Sequence, residues 1–323
     1  MTQSLELSTK DVTLNRNNFI GGSEIATVMG LSRYSTPLKL WAIKTGKIPA
    51  PDFSENQAVE MGTKLEQFVA NLWAEKTGNS VRRAPKTYQH PDYPYMVAHI
   101  DRLVTGTDEL LECKTTSLFR QDEWQGEDGL CDIPQEYILQ VMWYLGITGR
   151  KIGHIAVLIG GQQFKYSKIE FDQELFDKMV TAAKDFWENY VLKDVPPAVM
   201  SADDETMKEL YGDSHTDFII DLFPQDERSA AAVQELEQKI AYLQELKGQI
   251  KDLDAEKKEI EASLKDIIKD NLGIQTPKYK VTWKMQNGGY TYDREAMTAD
   301  GVFEKYATQS QFRRLNVAKN KEV

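Results

Sequence analysis

The sequence predicts a mixed α/β fold, in which helices flank a sheet, followed by a long-helix or coiled-coil segment and a small α+β tail. Over residues 1–195, segments with apolar residues at helical spacing alternate with segments of period-two alternation. Over residues 226–271, apolar residues recur at steps of three and four between charged residues, which predicts the long helix. The expected organisation is a first domain, an acidic linker, a long charged helix or helical hairpin, and a small hairpin–helix module: 1–199, 200–225, 226–272 and 273–323.

Composition narrows the class of protein. The chain has 323 residues and a formal charge of −11, and most of the excess negative charge lies in residues 201–271. The N-terminal part is near neutral, which leaves room for a local phosphate-binding surface. Cys113 and Cys131 are too few for a disulfide framework. No apolar run has spanning length and no targeting signal is visible, so we expect a cytoplasmic protein with no membrane contact.

The first helices carry two candidate functional groups. Ser23 is predicted as the N-cap of a short helix that closes at Gly30, and Arg16 precedes it, so together they offer an anion site. An ordinary capped helix is the alternative. A second helix is predicted over 36–45. A third, over 55–77, ends at Gly78 and places the Glu66 carboxylate beside apolar neighbours, although a glutamate at a solvated helix edge would give the same pattern.

A β-hairpin over residues 97–116 is the centre of the predicted chemistry. If its loop is symmetric about Gly106 and Thr107, Asp101 lies opposite Glu112, and Lys114 shares the face of Glu112. Two facing carboxylates repel each other, and a divalent cation would relieve that repulsion. A solvated surface hairpin is the alternative reading.

The remainder of the first domain contributes three further candidates. A loop containing Arg120 follows the hairpin, and a helix is predicted from Pro134 to Gly146. Gln140 and Tyr144 fall on one face of that helix, four residues apart. Two strands over 152–161 and 163–171 and a helix from Asp172 to Tyr190 complete the domain.

The last third is predicted to contain a partnered helix and a small module. The repeat over 226–271 requires a partner helix, either from a second subunit or from a fold-back near Gly248. A hairpin is expected around Asn287, Gly288 and Gly289. Behind it lies a basic tail: Arg313, Arg314, Lys319 and Lys321.

Taken in chain order, Glu66, Asp101, Glu112-x-Lys114 and Gln140-x-x-x-Tyr144 resemble the motifs of the PD-(D/E)XK nuclease superfamily, whose core is that of restriction endonucleases. More closely, the chain resembles the YqaJ-type viral recombinase, lambda exonuclease-like family. The resembling stretches are RNNFIGGSEIATVMGLSRY, the hairpin with LECKTT, and PQEYILQVMWYL, which together span about residues 16–195.

This resemblance implies a Mg²⁺-dependent 5′-to-3′ double-stranded DNA exonuclease of phage recombination, with Mn²⁺ as a substitute metal. It would act on duplex ends in a bacterial host and leave 3′ overhangs for a single-strand annealing protein. It would also form a homo-oligomer, with a ring-shaped trimer as one form found in relatives.

The resemblance also implies roles for individual residues. Metal ligation falls to Asp101, Glu112 and the carbonyl of Cys113, with Glu66 as a further candidate. Lys114 would position or activate the attacking water and stabilise the phosphorane-like transition state, and Gln140 would support that water or the lysine. The 5′-phosphate and DNA contacts would be Arg16, Ser23 and Arg120, with Tyr144 as a further candidate. One departure is Arg102, which stands where relatives often have glycine after the motif aspartate.

Two other functions fit the same sequence. A structure-selective endonuclease or resolvase on the same core would lack an end-binding pocket, so Arg16, Ser23 and Arg120 favour an exonuclease. A non-enzymatic coiled-coil adaptor would act through residues 226–271 and carry a degenerate nuclease domain, and the intact Asp101, Glu112 and Lys114 disfavour it. Incubation of the protein with linear duplex DNA and Mg²⁺ separates these hypotheses.

Overall fold

Two compact units make up the chain, Met1–Tyr211 and Gly212–Val323. The computed structural model describes residues 6–7, 16–84, 86–212, 219–220, 222–224, 226–285 and 293–306. The helices are α1 (Gly22–Val28), α2 (Pro37–Lys44), α3 (Gln57–Thr77), α4 (Gln135–Thr148), α5 (Gln173–Asp185), α6 (Asp204–Tyr211), α7 (Glu227–Ile268), α8 (Arg294–Ala299) and α9 (Phe303–Tyr306). The strands are β1 (Glu6–Leu7), β2 (Val81–Arg83), β3 (Thr87–Gln89), β4 (Val97–Ala98), β5 (Arg102–Val104), β6 (Leu110–Thr116), β7 (Ile152–Ile159), β8 (Gln163–Glu170), β9 (Gly273–Gln275) and β10 (Lys280–Thr282).

The central sheet of the first unit has five strands in the order β2-β5-β6-β7-β8. Strands β6 and β7 pair in parallel, and the other neighbouring pairs are antiparallel. A smaller sheet has the order β1-β3-β4. The predicted mixed sheet flanked by helices is therefore confirmed.

Apolar residues of the central strands alternate between two cores, one on each face of the sheet. Ile155, Val157 and Ile159 of β7 join the larger core, which contains residues of α1, α4 and α5. Ala156 and Leu158 join the smaller core beneath α3. Because successive side chains of a strand point to opposite faces, one apolar strand serves both cores.

The predicted hairpin forms, but its first strand is shorter than expected. Arg102 pairs with Leu111, a register that, if continued, places Asp101 opposite Glu112, as the loop symmetry predicted. The prediction of one continuous strand from Val97 is wrong. Val97 instead pairs with Gln89 of β3 in the smaller sheet, and its N–H donates to the carbonyl of Ile20 (2.9 Å).

Helix boundaries differ from the predictions at two places. The N-cap of α1 is Gly21, so Ser23 lies within the first helical turn instead of capping it. Helix α4 continues past Gly146 and ends before Gly149, which has a left-handed φ of 71°. Gly146 is required by packing: an added Cβ would lie 2.1 Å from a ring carbon of Phe176.

The first unit extends beyond the predicted boundary at residue 199. Ser201–Asp203 forms a 3₁₀ turn that leads into α6, and the Asp203 side chain is fully buried. Its carboxylate accepts a hydrogen bond from the hydroxyl of Thr36, the N-cap of α2. Residues 201–211 are thus anchored by a buried polar contact, and the expectation of a linker starting at 200 is corrected.

In the second unit, α7 is one continuous helix of 42 residues that passes through Gly248 without folding back. Its length is about 63 Å at 1.5 Å per residue. Asp226 caps it by accepting the Ser229 N–H (2.7 Å). A hairpin follows, but it is formed by β9 and β10 around Thr276–Tyr279. The hairpin predicted at 287–289 and the basic tail lie outside the described residues.

Within the described ranges, no helix combines the length and the apolar character needed to cross a bilayer.

Candidate active site

A cleft of about 650 Å³ opens where α1, α3 and α4 meet the end of the β5–β6 hairpin. Most of the residues that sequence reasoning selected line it. They are Arg16, Ser23, Glu66, Asp101, Glu112, Gln140 and Tyr144. Residues from four separate stretches of the chain therefore converge on one cavity of the first unit.

A hydrogen-bonded chain runs from the sheet to α4 across the base of the cleft. Lys114 Nζ donates to Glu112 Oε1 (2.7 Å) and to Gln140 Oε1 (3.0 Å). Gln140 Nε2 in turn donates to Glu112 Oε1 (2.7 Å) and to the Tyr144 hydroxyl oxygen (2.8 Å). Gln140 and Tyr144 lie one helical turn apart, as predicted, so the amide of Gln140 reaches the Tyr144 hydroxyl while it also contacts Glu112. These bonds hold the lysine and the glutamate in fixed positions.

The charge state of Lys114 follows from its neighbours. Burial lowers its pKa, but the negative charges of Glu112 and Asp101 outweigh burial, so the pKa of Lys114 lies above its ordinary value. Its ammonium also lies 4.9 Å from the centre of the Tyr137 ring. Lys114 is therefore a positively charged hydrogen-bond donor, and a role as a neutral base is disfavoured.

Asp101 carries the least compensated carboxylate of the group. Burial and the nearby charge of Glu112 raise its pKa well above the usual range. Its described hydrogen bond is at Oδ2, which accepts the Cys113 N–H (2.9 Å). Because the N–H and C=O of a strand residue point to the same edge, the Cys113 carbonyl faces this side also, beyond the last paired residue of β5.

The oxygen atoms at this point fit a hard divalent cation. Glu112 is 3% exposed, yet its Oε2 has no hydrogen-bond partner, and a buried carboxylate oxygen left so is costly. Two carboxylates and a backbone carbonyl are the ligand types that Mg²⁺ favours. Among the described side chains, no three His, Cys, Asp or Glu residues converge closely enough to hold a metal. The oxygen atoms that could hold a cation here are therefore those of the Asp101 and Glu112 carboxylates and of the Cys113 backbone carbonyl.

Glu66 lines the cleft but is engaged by arginine. Its Oε1 accepts a hydrogen bond from Arg102 Nη1, and Arg83 Nη2 lies 4.0 Å from the same oxygen. Arg102 is only 2% exposed and also donates to the Asp101 carbonyl (2.8 Å) and to Gln67 Oε1 (3.1 Å). The structure places Glu66 at the cleft in an ion pair, and its predicted contact with a metal stays a prediction.

Arg16 and Ser23 also line the cleft, and both are exposed. Within the described part of the chain, the Arg16 guanidinium has no ion pair, which leaves it available to an anion. Its backbone carbonyl accepts a hydrogen bond from Lys44 Nζ (2.6 Å), whose side chain is 1% exposed. The same ammonium pairs with both oxygens of Glu24 (2.8 and 2.9 Å), and Glu24 accepts the Gly21 N–H (3.0 Å). This buried pair fixes the segment of Arg16 against the start of α1.

Arg120 is not brought to the cleft. Its guanidinium makes bidentate hydrogen bonds to Glu123 (2.7 to 3.1 Å), lies 3.6 Å from Glu136 and donates to the Tyr34 hydroxyl. The hydrogen bond to Glu123 is the main reason that the pKa of Arg120 is raised. Arg120 is therefore not among the residues that line this cleft, and its predicted phosphate contact stays a prediction.

Sequence reasoning missed His99, which also lines the cleft. Its Nε2 lies 3.0 Å from the Thr87 hydroxyl, and burial together with the charge of Arg16 lowers its pKa. The imidazole is therefore neutral near pH 7. Period-two spacing from Asp101 is the signal that could have found it. Phe19, Glu24 and Thr63 line the cleft as well and gave no sequence signal.

Fold and site together define a class of protein: a mixed-sheet α/β domain whose cleft is lined by two carboxylates suited to a divalent cation and by an arginine that has no ion pair among the described residues. A charged lysine is bonded to one of the two carboxylates. Such a set can place a cation and an ammonium on one side of an anionic ester and hold a second anionic group on the other.

Comparison with known proteins identifies the family. Residues 13–151 match the YqaJ-like viral recombinase domain. The chain is 33% identical to the uncharacterized protein YqaJ of Bacillus subtilis strain 168, over 98% of this chain and 96% of that protein. The chain belongs to the YqaJ family, which confirms the resemblance drawn from the motif residues.

Two solved structures show partial similarity. The alkaline exonuclease LHK-Exo of Laribacter hongkongensis is 20% identical, with a TM-score of 0.45 over 58% of this chain and 94% of that chain. A phage-related exonuclease of Haemophilus somnus 129PT is 15% identical, with a TM-score of 0.41 over 55% and 99%.

Proposed function

We propose that the protein is a Mg²⁺-dependent 5′-to-3′ double-stranded DNA exonuclease of phage recombination, acting in the bacterial cytoplasm. One observation carries the proposal: Asp101 and Glu112, the second of which is bonded to Lys114, share one cleft with Arg16, which has no ion pair among the described residues. An anionic polymer end can therefore contact the metal-binding oxygens and a separate cation at once. The family membership and the motif residues support the same function.

In this proposal Asp101, Glu112 and the Cys113 carbonyl hold the metal, and Mn²⁺ substitutes for Mg²⁺. A bound Mg²⁺ would polarise a phosphoryl oxygen and acidify a coordinated water. Lys114 directs its positive charge and its remaining N–H toward the reacting phosphate. Gln140 fixes Lys114 through a 3.0 Å hydrogen bond, and Tyr144 supports Gln140 from one helical turn away.

In this proposal the direction of digestion is set by Arg16 and Ser23. Arg16 and the exposed hydroxyl of Ser23 bind a terminal 5′-phosphate, and the ion pair of the buried Lys44 with Glu24 keeps this segment in place. A charge-assisted hydrogen bond from Arg16 contributes about 1.5–3 kcal/mol. Arg120 takes no part in this grip unless it exchanges Glu123 for phosphate.

We also propose that the chain forms a homo-oligomer and hands its 3′ overhangs to a single-strand annealing protein. Exposed apolar residues lie along α7 at coiled-coil spacing, among them Ile250 (60% exposed), Leu253 (63%) and Ile260 (54%). Because α7 does not fold back on itself, its partner helix would come from another molecule.

The experiment that tests this function compares duplex ends. Linear DNA with 5′-phosphate, 5′-hydroxyl or covalently closed hairpin ends is incubated with the protein in Mg²⁺ or EDTA. The proposal predicts Mg²⁺-dependent loss of the 5′-terminated strand, fastest from phosphorylated ends, with closed ends resistant. Cutting of closed or branched DNA would instead favour the endonuclease or resolvase alternative, and absence of all cleavage would favour the adaptor.

A further inference from the structure

We propose that Arg83 binds an internal backbone phosphate of the DNA at the edge of the cleft, separately from the contacts to the 5′ end. This contact rests on the proposed function and deepens it, because it concerns how the duplex is held and not how it is cut. Arg83 is the last residue of the short strand β2, and neither the motif residues nor the family resemblance assigns it a role.

The sheet register places Arg83 close to the proposed metal ligand Asp101. Arg83 pairs with Arg102 of β5, and the next residue, Ala84, donates its N–H to the carbonyl of Asp101 (3.4 Å). Directly opposed residues of an antiparallel pair share one face of the sheet, so Arg83 and Arg102 lie on the same side. Both reach Glu66 of α3, whose side chain lines the cleft. Arg83 is therefore at the edge of the cleft.

Two arginines share one carboxylate at this point. Arg102 Nη1 donates to Glu66 Oε1, whereas Arg83 Nη2 lies 4.0 Å from the same oxygen. Arg102 is 2% exposed, and the Arg83 side chain is 78% exposed. One negative charge compensates one of the two positive charges, and the buried arginine has the shorter contact. Arg83 thus leaves a solvated positive charge at the cleft edge, where an anion can reach it.

The cleft itself offers little positive charge to a polyanion. Among the described residues that line it, Arg16 is the one permanent cation, beside four carboxylates: Glu24, Glu66, Asp101 and Glu112. The whole chain has a formal charge of −11, so attraction for DNA must come from local cations. A duplex is also longer than a cleft of about 650 Å³, and its next phosphates lie at the edge.

An exposed arginine at that edge has the chemistry of a phosphate contact. Arg and Lys contacts to phosphates supply much of the affinity of proteins for DNA, and they do so without reading the sequence. A guanidinium also matches two phosphate oxygens at once. The two arginines should therefore act separately: Arg16 distinguishes phosphorylated from hydroxyl ends, and Arg83 strengthens the binding of both.

The experiment measures binding of linear duplex DNA to the full-length protein by fluorescence anisotropy. The titrations are made in EDTA, in KCl from about 50 to 200 mM, with 5′-phosphate and 5′-hydroxyl ends. The variants are Arg83→Gln, Arg83→Lys and, as a matched control, Arg82→Gln. Arg82 is also exposed on β2, but as the adjacent strand residue it points to the opposite face. Thermal unfolding checks that each variant is folded, and turnover at saturating DNA is measured in Mg²⁺.

Arg83→Gln is expected to bind both kinds of end about three- to tenfold more weakly at about 50 mM KCl. The slope of log K against log salt should become less steep by about 0.9, the value for one phosphate contact, so the deficit shrinks about threefold by about 200 mM. Arg83→Lys should keep the wild-type slope, because lysine also neutralises a phosphate. Arg82→Gln should match the wild type. Turnover at saturating DNA and the ratio of affinities for the two ends should stay within about twofold of wild type in Arg83→Gln.

An unchanged salt slope in folded Arg83→Gln, or an equal loss of slope in Arg82→Gln, would overturn the inference. A fall in turnover with an unchanged slope would also overturn it, because Arg83 would then act through Glu66 and not on DNA. Loss of the preference for phosphorylated ends in Arg83→Gln would mean that Arg83 binds the terminal phosphate instead. A wild type that neither binds duplex DNA nor cleaves it in Mg²⁺ refutes the proposed function itself, whereas normal binding and cleavage with an unchanged slope in Arg83→Gln refute only the role of Arg83.

Discussion

Asp101→Asn is expected to make the metal-free protein more stable at alkaline pH while abolishing its response to Mg²⁺. Burial and the charge of Glu112 raise the pKa of Asp101 in the folded state. The ionised carboxylate is then less favourable in the folded chain than in the unfolded chain. Stability from this group is full below its unfolded pKa, about 3.9, and is lost as pH rises through the folded pKa. Asparagine is neutral throughout and avoids this loss.

The magnitude follows from the same linkage. Each pKa unit of upward shift costs the ionised wild type about 1.4 kcal/mol. The Asparagine side-chain oxygen can still accept the Cys113 N–H, so the 2.9 Å hydrogen bond of the native residue has a replacement. A gain of 1 kcal/mol corresponds to roughly 2–4 °C in the melting temperature of a unit of this size. The gain should shrink as pH falls through the folded-state pKa of Asp101, because protonation of Asp101 removes the same charge.

The assay is urea or thermal unfolding of both proteins in EDTA at about pH 5 and pH 8, repeated in MgCl₂. Mg²⁺ at a hundred times its Kd should stabilise the wild type by about 2.7 kcal/mol and the variant by nothing measurable. Equal stabilisation of both proteins by Mg²⁺ would remove Asp101 from the metal site. An Asn variant that is less stable than the wild type at pH 8, with no dependence on pH, would refute the charge argument.

Three further outcomes are expected. Lys114→Met should lower kcat by more than about a hundredfold with little change in DNA binding, measured by single-turnover rates and equilibrium titration, and near-normal turnover would exclude its proposed role. Arg16→Ala should reduce the preference for 5′-phosphate over 5′-hydroxyl ends by about tenfold or more, measured as a ratio of initial rates, and an unchanged ratio would place the phosphate elsewhere. The double change Ile250→Asp with Leu253→Asp should lower the mass of the assembly measured by sedimentation, whereas the control Lys251→Asp, next to these apolar residues, should leave it unchanged. Identical masses for the wild type, the double variant and the control would show that α7 does not mediate assembly.

The parts of the site that depend on local spacing were predictable from sequence. The symmetry of the hairpin loop placed Asp101 opposite Glu112, and the observed register agrees. The helical repeat placed Gln140 and Tyr144 on one face of α4, where the hydrogen bond between them forms. Periods of two and 3.6 residues are properties of the backbone, so they survive whatever the rest of the chain does.

The parts that depend on which distant charges meet were not predictable. No pattern in the sequence indicated that Arg120 pairs with Glu123 and Glu136, the second of which lies on a different element, α4. Arg102 stood out in the sequence only as a missing glycine, and its partner Glu66 lies on α3, far away in the chain. No local period encodes such pairs, because they are set by the packing of elements on the sheet.

The predicted ends of one strand and one helix were wrong for a related reason. Val97 alternates with its neighbours as though it began β5, yet competition from Gln89 and Ile20 draws it into another sheet. A glycine such as Gly146 often marks a helix end, but here the glycine is required because the Phe176 ring leaves no room for a Cβ. In both cases a tertiary contact decided between two locally acceptable structures.

The most direct test of the central claim is the rate of nucleotide release from linear duplex DNA by the wild type and by Glu112→Gln, in Mg²⁺ and in EDTA. We predict release by the wild type in Mg²⁺ and none in EDTA. The rate of release should fall by more than about a hundredfold in the variant, because the Glu112 carboxylate is both a proposed metal ligand and the hydrogen-bond acceptor of Lys114. Equal release by both proteins, or release that persists in EDTA, would show that hydrolysis does not occur at this cleft.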